Sequence, residues 1–164
     1  MFKRKGFTLI ELLIVIAIIA ILAGIVIAST TGATKKARDS RRVGDIQTLQ
    51  TAIVQYEADN GRYPASLSDL VSGGYISSIP ADPSTGAPVT EGSATSSGLI
   101  YVVNSAGDKY LLAANLERSD NSALDGDIDS ATTTVGSVTI DCGDDDSCDG
   151  TTTNKHCYCT GIVH

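Results

Sequence analysis

The chain opens with a basic segment, MFKRKG at residues 1–6, followed by FTLIE at residues 7–11 and an uncharged apolar run, LLIVIAIIAILAGIVIA, at residues 12–28. As an α-helix, residues 7–28 would extend about 33 Å, enough to cross a hydrocarbon core of about 30 Å. Secretory signal peptides carry a shorter apolar region of roughly 7–15 residues before a small-x-small cleavage site. The segment therefore predicts a membrane-spanning helix rather than an ordinary secretory signal peptide.

A simple membrane anchor does not explain two residues of this segment. Glu11 lies at one end of the apolar run, although a carboxylate at the membrane centre would cost up to about 3 kcal/mol. Gly6 separates the basic residues from the apolar ones. With these two residues in place, KGFTLIELL at residues 5–13 closely resembles the prepilin signature of type IV pilins and type II secretion pseudopilins.

The resemblance implies roles in processing and assembly for three residues. A prepilin peptidase would cut on the cytoplasmic side between Gly6 and Phe7, and Phe7 would then be N-methylated. Cleavage would move the formal net charge from −7 to −10, because nine basic residues then face 19 acidic ones. In this family the carboxylate corresponding to Glu11 meets the amine of the first mature residue, here Phe7, on a neighbouring subunit, and this contact sets the axial register.

The charges that flank the span do not by themselves support this orientation. The leader carries three basic residues, whereas five lie in residues 35–42 together with Asp39. Counting Lys and Arg near the span would place the C-terminal flank in the cytoplasm, but the resemblance implies a cytoplasmic N-terminus. We follow the resemblance, because the late cysteines favour an oxidising compartment.

The helix is expected to continue well past the span. Apolar residues recur at steps of three and four, which is typical of one face of an amphipathic helix; they are Val43, Ile46, Leu49, Ile53 and Tyr56. Asp59-Asn60-Gly61 supplies a stop, with Pro64 beyond it. The poor helix formers at residues 29–32 leave open whether this helix melts locally in a filament or stays unbroken.

The remainder predicts a small antiparallel sheet on the second half of the helix. Residues 66–71 favour a short helix with Ser66 or Ser68 as N-cap, and residues 73–98 favour a loop. Residues 99–103 and 109–113 predict a hairpin, with weaker strands at 135–140 and 157–163. Residues 59–64 and 79–83 are similar to segments of the major pseudopilin and of some type IV pilins.

These observations together predict the fold class and its division along the chain. We expect an α+β, pilin-like fold: a leader at 1–6, a transmembrane helix at 7–34, and a globular domain at 35–164. A length of 164 residues leaves room for one domain with an appendage. The acidic charge argues against general nucleic-acid binding, and 5% aromatic content against a large aromatic pocket. No catalytic constellation stands out, so no enzymatic activity is expected.

Aspartates crowd one loop of the C-terminal region and suggest a calcium site. Residues 125–129 alternate as the start of a calcium loop does, but Ser130 and Gly136 stand where an EF-hand needs glycine and glutamate. Major pseudopilins hold calcium at about this place, so the resemblance implies an ion here. The candidate ligands are Asp125, Asp127, Asp129 and Asp120. A solvated acidic surface is the alternative, and no cofactor is required.

Four cysteines lie late in the chain: Cys142, Cys148, Cys157 and Cys159. No Cys-x-x-Cys pair accompanies His156 and His164, so two disulfides are favoured over zinc. A bond between Cys157 and Cys159, which flank one residue, would be tight. Two pairings remain, and each ties the loop from Cys142 to Cys148 to the last strand.

A structural role for the protein accounts for most of these features. We expect a type IV pilus subunit, stored in the inner membrane as a single-pass precursor and assembled by helix stacking into a surface filament. The periplasmic pseudopilus of type II secretion is the alternative, and a membrane-tethered binding module is an alternative of another class. The resemblance implies copies of the chain itself, prepilin peptidase, an inner-membrane assembly platform with its ATPase, and minor pilins as partners.

Overall fold

A computed structural model describes residues 7–95, 98–126, 128, 132–143, 148 and 156–162. The chain forms two compact units, Met1–Lys35 and Lys36–His164. Two helices, α1 (Leu9–Asn60) and α2 (Ser68–Ser72), precede most of the strands. The strands are β1 (Thr90–Glu91), β2 (Leu99–Val103), β3 (Tyr110–Leu116), β4 (Thr133–Val135), β5 (Val138–Ile140) and β6 (His156–Ile162).

The N-terminal part of α1 is apolar on all sides. The large apolar side chains from Phe7 to Val26 are all exposed, from 47% at Val15 to 86% at Phe7. By length and composition, α1 is the one helix among the described residues that qualifies as a membrane span. An apolar surface of this extent needs lipid or other apolar helices around it. The helix passes through residues 29–32 without a break.

The helix ends where the sequence predicts. Gly61 takes a left-handed φ of 70°, and its N–H donates to the carbonyl of Glu57 at 2.7 Å. This conformation suits glycine because a side chain would be strained there. Leu67, which is wholly buried, takes the N-cap position of α2 without a side-chain cap of its own. The predicted cap Ser66 lies one position earlier: its Oγ accepts the N–H of Ser68 at 3.2 Å, and its N–H donates to Asp69 Oδ2 at 3.3 Å.

The second half of α1 packs on a four-stranded sheet in the order β1-β2-β3-β6. The neighbours β2 and β3, and β3 and β6, run antiparallel, whereas β1 runs parallel to β2. The predicted stripe supplies the contacts: Ile46, Leu49 and Ile53 are wholly buried, with Val43 and Tyr56 packed beside them. The α+β pilin-like fold is therefore confirmed, and one short parallel strand, β1, lies within residues 73–98, for which the sequence predicts a loop.

Both faces of the sheet are covered, which the sequence analysis did not foresee. Alternate residues of β3 point to opposite sides, so Leu112 packs towards α1 while Leu111 packs towards the cysteines. The second layer contains the hairpin β4–β5, where Thr133 pairs with Ile140. The predicted single strand over residues 135–140 is thus wrong, because Gly136, with φ of 63°, turns the chain between two short strands.

Candidate functional site

The N-terminus of α1 is closed by a reciprocal contact between Thr8 and Glu11. The backbone N–H of Thr8 donates to Glu11 Oε2 at 2.8 Å, and its hydroxyl donates to the same oxygen at 2.6 Å. The N–H of Glu11 in turn donates to Thr8 Oγ1 at 3.3 Å. This arrangement is a capping box, which satisfies backbone donors at a helix start. The sequence analysis missed it, although threonine three residues before glutamate is its signature.

The capping box occupies only one oxygen of the Glu11 carboxylate. Both donations from Thr8 go to Oε2, so within the described part of the chain Oε1 has no donor. Phe7 lies beside this end and is 86% exposed, while Gly6 lies outside the described residues. The geometry leaves Glu11 one acceptor atom for a cation from outside the chain.

A buried cluster of charges lies at the start of the globular unit, centred on Arg42. This side chain is 3% exposed and its guanidinium makes four hydrogen bonds. Nε donates to Asp82 Oδ2 at 2.7 Å, and Nη2 donates to Ser84 Oγ at 2.8 Å. Nη1 donates to Asp39 Oδ1 at 2.9 Å and to Glu117 Oε1 at 3.0 Å. Arg42 therefore joins α1 to two segments that are distant in sequence.

Arg38 and Asp39 complete this cluster. Arg38 binds Glu117 through two nitrogens, with Nε at 2.7 Å from Oε1. The N–H of Glu117 donates to Asp39 Oδ1 at 2.9 Å, which fastens the chain just after β3 to the helix. Two arginines thus face three carboxylates, and Asp39 Oδ2 is buried without a hydrogen-bond partner in the described structure.

Two carboxylates of this cluster, Asp82 and Glu117, are held in their charged form. Burial alone would raise the pKa of Asp82, but hydrogen bonds from Arg42, Ser84 and Thr85 outweigh it and hold the pKa well below its usual range. Hydrogen bonds from Arg38, opposed by burial and assisted by Arg42, lower the pKa of Glu117 to about 2. Both groups therefore favour the folded state while they are ionised.

Sequence reasoning missed the cluster, although a signal for it exists. Asp39 and Arg42 extend the three- and four-residue spacing of the apolar stripe towards the span. Charged residues in a buried register indicate an ion pair, because an unpaired buried charge is costly. Their partners Asp82 and Glu117 are 40 and 75 residues further along the chain. No local pattern could have identified them.

The basic segment at residues 35–42 is largely neutralised by the fold. Arg38 and Arg42 belong to the buried cluster, and Arg41 pairs with Asp45 at 3.8 Å. Lys35 and Lys36 are exposed, and no ion pair involves them in the described structure. Of the five basic residues in this segment, Lys35 and Lys36 are therefore the two that form no ion pair within the described part of the chain.

The four cysteines form two disulfides, as expected, and the structure selects one of the two pairings left open. Cys142 bonds Cys159, and Cys148 bonds Cys157, with Cα atoms 5.7 and 5.0 Å apart. Cys157 and Cys159 are not bonded to each other, although their sulfurs lie 3.5 Å apart. All four are fully buried. The predicted residues are therefore brought together on the face of the sheet opposite α1.

A buried amide positions one of these bonds. Asn115 lies in β3 and is 1% exposed; its Oδ1 accepts the N–H of Cys148 at 2.9 Å. Its Nδ2 donates to the carbonyl of Thr95 at 2.9 Å. The amide thereby satisfies two backbone groups, one in the segment before β2 and one in the segment after β5. Its hydrogen bond to Cys148 helps to position this residue for the disulfide with Cys157.

The candidate calcium ligands are only partly described. Asp127 and Asp129 lie outside the described residues. Asp125 lies in a 3-10 turn, Leu124–Gly126, and is exposed, whereas Asp120 forms an ion pair with Arg118. No group of three or more His, Cys, Asp or Glu suited to a metal ion occurs within the described residues. Asp120 would have to leave Arg118 to bind an ion, so the calcium site stays a prediction.

These features define a class: an α+β protein on a long N-terminal helix of membrane-span character, with a capped glutamate at the start. Residues 1–27 match the model of the prokaryotic N-terminal methylation motif. The type II secretion system core protein G of Aeromonas hydrophila is 37% identical over 97 residues, covering 49% of this chain and 68% of the relative. The corresponding protein of Escherichia coli is also 37% identical over 97 residues, with coverage of 49% and 67%.

A pilus protein is similar over a comparable part of the chain. The type IV wide pilus major component of Thermus thermophilus is 43% identical over 80 residues, covering 49% of this chain and 60% of the relative. No solved structure matches the chain. The chain belongs to the family of type IV pilins and type II secretion pseudopilins.

Proposed function

We propose that this chain is a structural subunit of a type IV pilus, stored in the inner membrane and assembled into a surface filament by stacking of its apolar helices. The observation that carries the proposal is the start of α1. There, a helix with apolar side chains exposed on every side carries one carboxylate, whose Oε1 atom is left open by the capping box. Such a helix requires lipid first and identical helices afterwards.

Processing supplies the cation for that carboxylate. Cleavage between Gly6 and Phe7 frees an amine at Phe7, one helical turn from Glu11. Among packed apolar helices an unpaired carboxylate is costly, whereas one that meets an ammonium group from a neighbour is stabilised. Glu11 can keep Thr8 on Oε2 while Oε1 accepts the amine of Phe7 from another subunit. Apolar contacts tolerate sliding, but this charge pair does not, so it fixes the register.

The fold supports a cytoplasmic N-terminus in the precursor. Buried disulfides are typical of a protein that matures in an oxidising compartment, and Cys142, Cys148, Cys157 and Cys159 all lie in the C-terminal unit. Prepilin peptidase, an assembly platform with its ATPase, and minor pilins are the partners that this route requires. The role of the chain itself is structural and not enzymatic.

A periplasmic pseudopilus is the second candidate, and it is favoured by the similarity to type II secretion core proteins G. Deletion of the gene separates the two. Loss of filaments from sheared cells, seen by electron microscopy, supports the pilus, whereas retention of exported enzymes in the periplasm supports the pseudopilus. A deletion strain with neither defect would favour a membrane-tethered binding module.

Processing is tested by intact-mass analysis of the mature chain. We expect a chain that begins at methylated Phe7 and lacks residues 1–6. A chain that retains Met1 in the mature protein would contradict both filament functions, because the amine of Phe7 would then be unavailable to Glu11.

A further inference from the structure

A small polar cavity lies in the globular unit, and its lining includes Lys36, the first residue of that unit. Its volume is about 160 Å³, and it is lined by Lys36, Ser40, Arg118, Asp120, Asn121 and Ser122. All six residues belong to the unit Lys36–His164. None of the roles assigned above to Glu11, the buried cluster or the cysteines makes use of it.

The lining is rich in hydrogen-bond donors that lack an acceptor. Asn121 Oδ1 accepts the N–H of Ala123 at 3.1 Å, which leaves its NH₂ group to donate outwards. The ammonium of Lys36 and the hydroxyls of Ser40 and Ser122 likewise have no acceptor among the described residues. The lining has one carboxylate, that of Asp120, which is bound to Arg118 and is also attracted by the charge of Lys36 without a hydrogen bond to it; the two cations of the lining therefore outnumber its carboxylate. The cavity therefore suits an anion with several oxygens.

The position of Lys36 in the chain indicates which anion lies near its side chain. Lys36 is the second residue after the predicted span at 7–34, a rise of about 3 Å along a helix. That position brings its side chain to the level of lipid headgroups. Basic residues that directly follow a span attract anionic lipids, and Lys, Ser and Asn side chains are frequent ligands of phosphate oxygens.

The distribution of charge along the chain provides a physical reason for such a site. Ten of the 19 acidic residues lie at or after residue 117, while five of the nine basic residues left after cleavage lie in residues 35–42. An acidic domain held at an anionic membrane is repelled from it. A cavity that contains Lys36, two residues after the predicted span, offsets part of this repulsion.

We propose that this cavity binds the phosphate of an anionic phospholipid headgroup while the subunit is stored in the membrane. Lys36 supplies the charge, and Ser40, Asn121 and Ser122 donate hydrogen bonds to the phosphate oxygens. The lipid is released when the subunit leaves the membrane for the filament. The proposal rests on the proposed membrane storage, but it makes no use of Glu11 or of helix stacking.

Native mass spectrometry of the mature full chain in detergent tests the proposal. Phosphatidylglycerol or phosphatidylcholine is added in equal excess, and the retained lipid is counted. We expect preferential retention of phosphatidylglycerol, reduced about tenfold in Lys36→Gln, because a hydrogen bond from a charged donor to the phosphate is lost. Ser122→Ala should lower retention without any change in net charge.

Lys35→Gln is the matched control. It removes the same charge one residue away, but Lys35 does not line the cavity, so phosphatidylglycerol retention should persist. Equal losses in Lys35→Gln and Lys36→Gln would overturn the site in favour of diffuse electrostatics, and equal retention of the two lipids would overturn it outright. If inorganic phosphate displaces the lipid, the cavity is a site for small anions and not for a lipid headgroup. If the chain forms dimers that Lys36→Gln abolishes, the cavity binds an acidic segment of a second copy.

Incorporation of the same chain into phosphatidylcholine nanodiscs distinguishes failure of the lipid site from failure of the proposed membrane storage. A chain that enters nanodiscs, but retains the two lipids equally in the mass-spectrometry experiment, contradicts the lipid site alone. A chain that does not enter them contradicts membrane storage, and with it the proposed function.

Discussion

The guanidinium of Arg42 donates to the carboxylate of Asp82 at 2.7 Å, across 40 residues of sequence, and the two side chains are only 3% and 1% exposed. Asp82 also accepts the N–H groups of Ser84 and Thr85, at 2.9 and 3.0 Å. One carboxylate thus closes its own turn and holds the helix residue that meets it. The ion pair fixes where the loop after α2 returns to α1.

Replacement of Arg42 should be the most damaging single change in the ion cluster. Arg42→Met leaves Asp39, Asp82 and Glu117 without their shared cation, and loss of one partner from a buried pair costs about 3–5 kcal/mol. Urea unfolding of the full chain in detergent, followed by tyrosine near-ultraviolet dichroism, measures this loss. Arg41→Gln is the control, because Arg41 is 65% exposed, and its effect should stay within about 0.5 kcal/mol. Equal effects of the two changes would contradict the role of the cluster.

The contribution of Glu117 should depend on pH. Its pKa falls from 4.5 to about 2 on folding, so its ionised form stabilises the folded state above pH 4.5, and this contribution is lost as the pH falls through about 2. Glu117→Gln should be less stable than the wild type at pH 7 by about 1.5–3 kcal/mol, since hydrogen bonds to charged groups are removed.

Unfolding free energies of both proteins across this pH range give the test. The difference between them should shrink towards zero at the acidic end. Glu57→Gln, whose side chain joins no ion pair in the described structure, serves as the control and should change stability little at pH 7. A difference between wild type and Glu117→Gln that is constant with pH would show that charge is not the cause.

The disulfide pairing can be read directly from peptides. Cleavage before aspartate separates Cys142 from Cys148, and cleavage after Tyr158 separates Cys157 from Cys159. Non-reducing mass spectrometry should then find Cys142 with Cys159 and Cys148 with Cys157. The paired change Cys142→Ser with Cys159→Ser opens a link of sequence separation 17 and should cost about 3 kcal/mol. Free thiols, stoichiometric zinc or the other pairing would contradict the structure.

Glu11 should act in assembly and not in membrane insertion. Glu11→Ala removes both the capping box and the acceptor for a neighbouring amine, so we expect normal insertion and cleavage but few or no filaments. Thr8→Val separates the two effects, because it removes the hydroxyl at 2.6 Å from Oε2 and leaves the carboxylate. Electron microscopy of sheared cells should show more filaments for Thr8→Val than for Glu11→Ala. Abundant normal filaments from Glu11→Ala would exclude the charge pair.

Calcium should stabilise the globular unit if the aspartate loop holds an ion. The N–H of Ile128, inside that loop, donates to the carbonyl of Cys159 in β6 at 3.1 Å, so an ion held there would tie the loop to the sheet. Chelation should lower the melting temperature, and Asp125→Asn should remove the response to calcium. Asp108→Asn, an aspartate of the hairpin between β2 and β3, is the control. A melting curve indifferent to calcium would identify the loop as a solvated acidic surface.

Elements whose signals are local can be predicted from the amino-acid sequence. The apolar segment at residues 7–28 indicates a membrane-spanning helix by its length and composition, and the spacing of Ile46, Leu49 and Ile53 locates the face that the sheet covers. Gly61 marks the end of α1 because few other residues accept its backbone angle. The hairpin of β2 and β3 follows from two apolar runs around Gly107. Each of these features depends on residues within a few positions of one another.

The tertiary structure alone decided the contacts between distant segments. No pattern in the sequence links Arg42 to Asp82 and Glu117. An ion pair between distant segments leaves no regular spacing that a single sequence could reveal. The choice of Cys142 with Cys159 over Cys157 depends on how Asn115 in β3 holds Cys148. Local pattern therefore determines the helices and strands, whereas burial and pairing across the fold determine which of their side chains meet.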